Sequence, residues 1–97
     1  MNVVRHVVFS GRVQGVGFRA FVEEVASRNG IEGWVRNRRT GTVEAVFAGA
    51  MGAVESVIAV CSRGPHSARV DAVDQRDATA EELALRGREA FAVLPTV

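Results

Sequence analysis

The run Gly11-Arg12-Val13-Gln14-Gly15-Val16-Gly17-Phe18-Arg19 holds three glycines in its first seven residues and ends in an arginine. A glycine-rich connection that opens a helix is an anion site in waiting, because free backbone N–H groups and the positive end of the helix dipole converge there. Glycine lets successive amides turn inward and leaves room for close approach. Arg19 adds a planar guanidinium that can grip two phosphate oxygens at once. A phosphate group is the guest this chemistry favours.

Two other readings use the same residues. Gly15-x-Gly17-x-x-Ala20 fits the short form of a dinucleotide-binding turn, a pattern of low specificity. Against it, Asn37-Arg38-Arg39 occupies the place of a ribose-binding acid, and the Thr40-Gly41 turn makes a hairpin where a doubly wound fold needs a parallel crossover. The blander alternative is a tight strand-to-helix connection with no ligand, which is the commoner use of a Gly-rich link. Arg19, and the amide of Asn37 at the end of a later strand, shift the balance toward a site.

The elements that position these residues follow from hydrophobic period. Val3 to Phe9 reads as a strand ending at Ser10-Gly11, and residues 11 to 17 as a loop. Phe18, Phe21, Val22, Val25 and Ala26 have helical spacing, with Glu23, Glu24 and Arg28 opposite, and Asn29-Gly30 stops the helix. Ile31 to Arg38 predicts a strand with Gly33, Val35 and Asn37 on one face and Trp34, Arg36 and Arg38 on the other. Thr40-Gly41 turns it into a partner strand over Thr42 to Ala48.

Val54, Val57, Ile58 and Cys61 predict a second helix over residues 52 to 63, ended by Gly64-Pro65. Ala68 to Val73 predicts a fourth strand, and Phe91 to Leu94 a terminal one. Between them, Thr79 and Glu82 have capping-box spacing and suggest a short helix over 80 to 86. The order is β-α-β-β-α-β, the split arrangement of the ferredoxin-like class: an α+β sandwich with an antiparallel sheet, two helices on one face and an extra C-terminal strand.

Composition narrows the function. Ninety-seven residues fit a single domain, residues 1 to 97. All twelve basic residues are arginine, which removes a Lys Schiff base and the Lys of a Walker-type loop. A formal net charge of +1 lacks the basic stripe of a nucleic-acid binder. Six aromatics, mostly on helix or core faces, leave no stacking platform for RNA. A single cysteine cannot form an internal disulfide, and no leader or membrane-length apolar run is present, so a cytoplasmic protein is expected. His6 and His66 show no ligand spacing, and no metal or other cofactor is expected.

Gly11 to Arg19, then Gly33-Trp34-Val35-Arg36-Asn37, then Gly41-Thr42-Val43-Glu44, resemble the signature segments of the acylphosphatase family, in order and at suitable spacing. Gly64-Pro65 with Ala68 and Val70 resembles the family's approach to its fourth strand. The terminal Phe91-Ala92-Val93 is similar to the family's last strand, although Leu94-Pro95-Thr96-Val97 replaces its usual polar and aromatic ending. This resemblance implies a ferredoxin-like fold and metal-free hydrolysis of the carboxyl-phosphate bond of small acyl phosphates. It makes Arg19 the phosphate-binding arginine and Asn37 the water-positioning asparagine. The amides of Gln14, Gly15, Val16, Gly17, Phe18 and Arg19 then form the cradle. Small acyl phosphates and inorganic phosphate are the expected partners, for a monomer. A noncatalytic anion-binding or regulatory module of the same fold is the alternative.

Other residues have plainer roles. Arg36, Arg38 and Arg39 read as solvated surface charge, Arg12 as undecided, Cys61 as a buried small hydrophobe, and Met51 and Trp34 as packing residues.

Overall fold

β-branched and aromatic side chains at alternate positions make Asn2–Arg12 the first strand, β1, of the computed structural model, which describes all 97 residues. There follow α1 (Phe18–Arg28), β2 (Glu32–Asn37), β3 (Val43–Ala50), α2 (Met51–Arg63), β4 (Arg69–Asp77), α3 (Ala80–Ala84) and β5 (Phe91–Val93). The strands form one sheet in the order β4-β1-β3-β2-β5. The α+β, ferredoxin-like arrangement is present.

α1 and α2 lie on one face. Phe18, Val22 and Ala26 of α1 and Val54, Val57, Ile58 and Cys61 of α2 bury against Val7, Phe9, Val35, Val43, Ala45 and Phe47 of the sheet. Full burial of a large apolar side chain contributes about 1.5–3 kcal/mol, so this layer holds the helices in place. Phe18, the first residue of α1, meets Phe9 of β1 edge to face at 5.2 Å. That contact fixes the helix N-terminus against the sheet.

Several boundaries depart from the sequence expectation. β1 does not stop at Ser10-Gly11: it continues through a register shift, pairing Gly11 with Val70 and Arg12 with Arg69 of β4. β4 runs to Asp77 rather than Val73, because Asp74, Gln75, Arg76 and Asp77 pair with β1. Its alternation fades there because β4 is an edge strand that solvent reaches. The sheet is mixed rather than wholly antiparallel, since β5 returns parallel to β2. α3 covers Ala80–Ala84, shorter than expected. Met51 is not a packing residue: it opens α2, is 41% exposed, and donates its backbone N–H to Met1. Trp34 and Cys61 are buried as expected.

The other sheet face carries a second, smaller cluster of Trp34, Val46 and Ala92, covered by Leu83 and Ala78. Trp34 Nε1 donates to the Glu82 carbonyl at 2.7 Å and so ties α3 to the sheet. Beside it, the buried carboxylate of Glu44 accepts from His6 Nε2 at 2.6 Å and from Arg36 Nε at 2.7 Å. Burial alone would raise the Glu44 pKa, but the hydrogen bonds from His6 and Arg36 outweigh it and hold the carboxyl below its ordinary range. The Arg36 guanidinium also covers the Trp34 ring at 4.6 Å.

Gly33 sits where two backbones nearly touch: its φ is +146°, and a Cβ there would lie 1.8 Å from the Val46 carbonyl oxygen. Gly33→Ala is expected to cost at least about 3 kcal/mol, read as a lowered denaturant midpoint in urea. α3 offers a second test. Arg76 donates to the Glu82 carboxylate and the Thr79 N–H caps it, which lowers the Glu82 pKa to about 2. A depressed folded-state pKa stabilises α3 fully above the ordinary carboxylate range, and that contribution drains as pH falls toward 2. The parent's urea midpoint should therefore fall between about pH 5 and about pH 2, and Glu82→Gln, which has no carboxylate to protonate, should lose less over that window.

Candidate active site

The glycine loop is held on three sides. Gln14 Nε2 donates to the carbonyls of Arg38 at 2.7 Å and Thr42 at 2.8 Å, bridging to the β2–β3 hairpin. Ser67 Oγ donates to the Val16 carbonyl at 2.8 Å, and Val13 is buried in the core. Gly17 then enters α1 as its N-cap with φ +80° and ψ 16°, a left-handed conformation that a Cβ would disfavour; Gly15, at φ +73°, makes the preceding turn.

This turn leaves the helix end open. The first backbone bond of α1 runs from the Phe21 N–H to the Gly17 carbonyl, so the amides of Phe18, Arg19 and Ala20 have no intrahelical acceptor. No side chain caps the helix and no acid sits in its first turn. The positive end of the dipole is therefore uncompensated.

These groups face a cleft of about 380 Å³, lined by Val13, Gly15, Gly17, Phe18, Arg19, Ala20, Glu23, Asn37 and Val93. The structure thus brings Arg19 and Asn37 together with Gly15, Gly17 and Phe18. Gln14 and Val16 do not line it: the Gln14 side chain is spent on the hairpin, and Val16 is turned to Ser67. Among arginines without an acidic partner, Arg12, Arg39, Arg63 and Arg88 are exposed, whereas Arg19 is half-buried. Arg36 and Arg38, read from sequence as solvated surface, instead face Glu44.

Asn37 ends β2 on the helix-facing side, opposite Val43 of β3. Its carbonyl accepts from the Val97 N–H at 3.2 Å, and the next amide but one, that of Arg39, donates to Val97 O at 2.7 Å. With its main chain pinned in this way, its side-chain Oδ1 is buried and meets no donor from the protein. An unsatisfied buried acceptor costs about 1–3 kcal/mol. Here the open lone pair belongs to a residue that lines the cleft.

Sequence reasoning missed Ala20, Glu23 and Val93 as cleft residues. Glu23 carried a signal, since it lies one helical turn beyond Arg19. Val93 carried none, because its place depends on the parallel return of β5. No three His, Cys, Asp or Glu side chains gather in a group that could hold a metal ion, and no helix is long and apolar enough to cross a membrane.

Comparison with known proteins identifies the family and the fold. The acylphosphatase family model matches residues 5–91. An acylphosphatase of Bradyrhizobium diazoefficiens is 56% identical, over 99% of this chain and 98% of that one. A Synechococcus acylphosphatase is 47% identical over 95% and 93%. The crystal structure of acylphosphatase from Bacillus subtilis superposes with a TM-score of 0.83 at 31% identity, covering 97% of this chain and 99% of the other. With its fold and nearly its whole length shared with these acylphosphatases, the chain belongs to the acylphosphatase family.

Proposed function

We propose that the cleft holds the phosphoryl group of a small acyl phosphate between Arg19 and the free amides at the start of α1, while Asn37 aims a water at phosphorus. The observation that carries this reading is that one cleft brings Asn37, whose Oδ1 meets no protein donor, together with Arg19 and the open start of α1. An amide oxygen accepts a hydrogen bond from a water's O–H and so turns the water's lone pair toward the phosphorus. Phosphoryl transfer asks mainly for positioning and for charge stabilisation on the equatorial oxygens, which an arginine and a set of amides supply.

Water oxygen bonds to phosphorus as the bond to the acyl oxygen breaks, giving a carboxylate and inorganic phosphate. Neither Arg19 nor Asn37 can take up a proton at neutral pH. The water's proton therefore passes to a phosphate oxygen or to the departing carboxylate. A carboxylate leaves readily, which is why so spare an apparatus suffices. A noncatalytic anion-binding module would use the amides and Arg19 but has no use for an open acceptor beside them.

Two substitutions separate the roles. Arg19→Ala is expected to lower kcat/KM for benzoyl phosphate by at least about a thousandfold and to abolish inhibition by inorganic phosphate. Asn37→Ala should lower kcat by about a hundredfold or more with phosphate inhibition retained. Both are read on protein whose circular dichroism and melting match the parent. Parent-like turnover by Arg19→Ala would overturn the assignment.

A further inference from the structure

Charges without partners mark a second property of this cleft. Of the acidic residues that make no ion pair, Glu55, Asp74, Glu81 and Glu89 are exposed, and Glu23 alone is half-buried. Arg19 holds the same status among the arginines. Both line the same cleft, four residues apart on α1, and they do not pair with each other. Arginine placed N-terminal to glutamate at this spacing is the poorer orientation for a helix ion pair, which fits their separation.

Their positions give the cleft a direction. From Arg19 to Glu23 the helix descends about one turn, roughly 5.4 Å. The opposite wall descends in step: Asn37 stands at the end of β2, and Val93 of β5 lies level with Val35, two residues back along that strand. β2 runs antiparallel to α1, so Arg19 faces the Asn37 level and Glu23 the Val93 level. The phosphate end is positive, and the other end is walled by Ala20, Val93 and a carboxylate.

We propose that Glu23 is a specificity-determining residue, selecting acyl phosphates whose acyl part carries no second negative charge. This rests on the reading of the cleft given above, with phosphate held at Arg19. An acyl group that leaves the phosphorus along the slot passes Ala20 and Val93, and its far end then meets Glu23. Charge released at the broken bond sits beside Arg19. A carboxylate or phosphate at the far end of the acyl group instead faces a like charge in a half-buried site. A neutral or hydrogen-bond-donating group meets no such penalty.

The test uses two substrates of one shape, para-carbamoylbenzoyl phosphate and para-carboxybenzoyl phosphate, and compares kcat/KM for the parent and for Glu23→Gln. The parent should prefer the carbamoyl substrate, and Glu23→Gln should narrow that preference by about three- to tenfold, through faster turnover of the carboxy substrate. Added salt should narrow the parent's preference and leave the variant's nearly flat. A ratio that Glu23→Gln leaves where the parent has it overturns the assignment of Glu23 alone. If the parent turns over neither substrate, or does so without inhibition by inorganic phosphate, the reading of the cleft falls as well.

Discussion

The cleft exists because one side chain joins two segments that the chain order keeps apart. Gln14 spends both protons of its amide on the carbonyls of Arg38 and Thr42, the residues on either side of the β2–β3 turn. Each such bond adds only about 1 kcal/mol net, and both carbonyls also accept a backbone N–H, that of Arg38 from Gly41 and that of Thr42 from Arg38. The consequence is geometric: the loop that opens α1 is laid against the end of β2. The free amides, Arg19 and Asn37 then face one space. Phe18 on Phe9 and Ser67 on Val16 complete the anchoring, so the segment with the most glycine in the chain is also among its best tethered.

The opposite face of the sheet protects the same arrangement by a different means. Arg36 pairs with Glu44 across β2 and β3, one step before Asn37 pairs with Val43. Side chains alternate along a strand, so a slip of one residue would drive Arg36 toward the apolar helix layer and carry Asn37 away from the cleft. Glu44 is bound to both β1, through His6, and β2, through Arg36. A buried pair of this kind adds little net stability, since desolvation offsets its Coulomb gain. What it does is make the wrong register expensive, and the position of Asn37 depends on that register.

What the sequence made legible was local. Phe18, Val22 and Ala26 announced α1, the glycines announced the turn before it, and period-two alternation put Asn37 on the face of Val35. Each rests on neighbours within a few residues. The features that escaped are those set by distant strands. Glu44 and His6 are 38 residues apart and nothing near either one signals a pair. β4 outran its expected end because an edge strand facing water keeps its ladder after its apolar alternation has stopped. Val93 joined the cleft only because β5 runs parallel to β2. Thr79 and Glu82 disclosed their capping box, but not that the helix it starts would lie over Trp34.

The roles proposed for Asn37 and Arg19 differ in kind. In the proposed mechanism Arg19 and the α1 amides would contact phosphate oxygens present in substrate, transition state and product alike, so much of their effect would be uniform binding. Asn37 would instead contact the attacking water, with an effect felt chiefly as that water closes on phosphorus. In the free protein the Asn37 Oδ1 is buried and meets no protein donor. The main chain around it is fixed by bonds to Val97 and by the pairing with β3, so the side chain has little freedom to turn away and find a partner. The penalty of the unmet Oδ1 is thus carried by the stability of the strands around it, which hold Asn37 at the cleft.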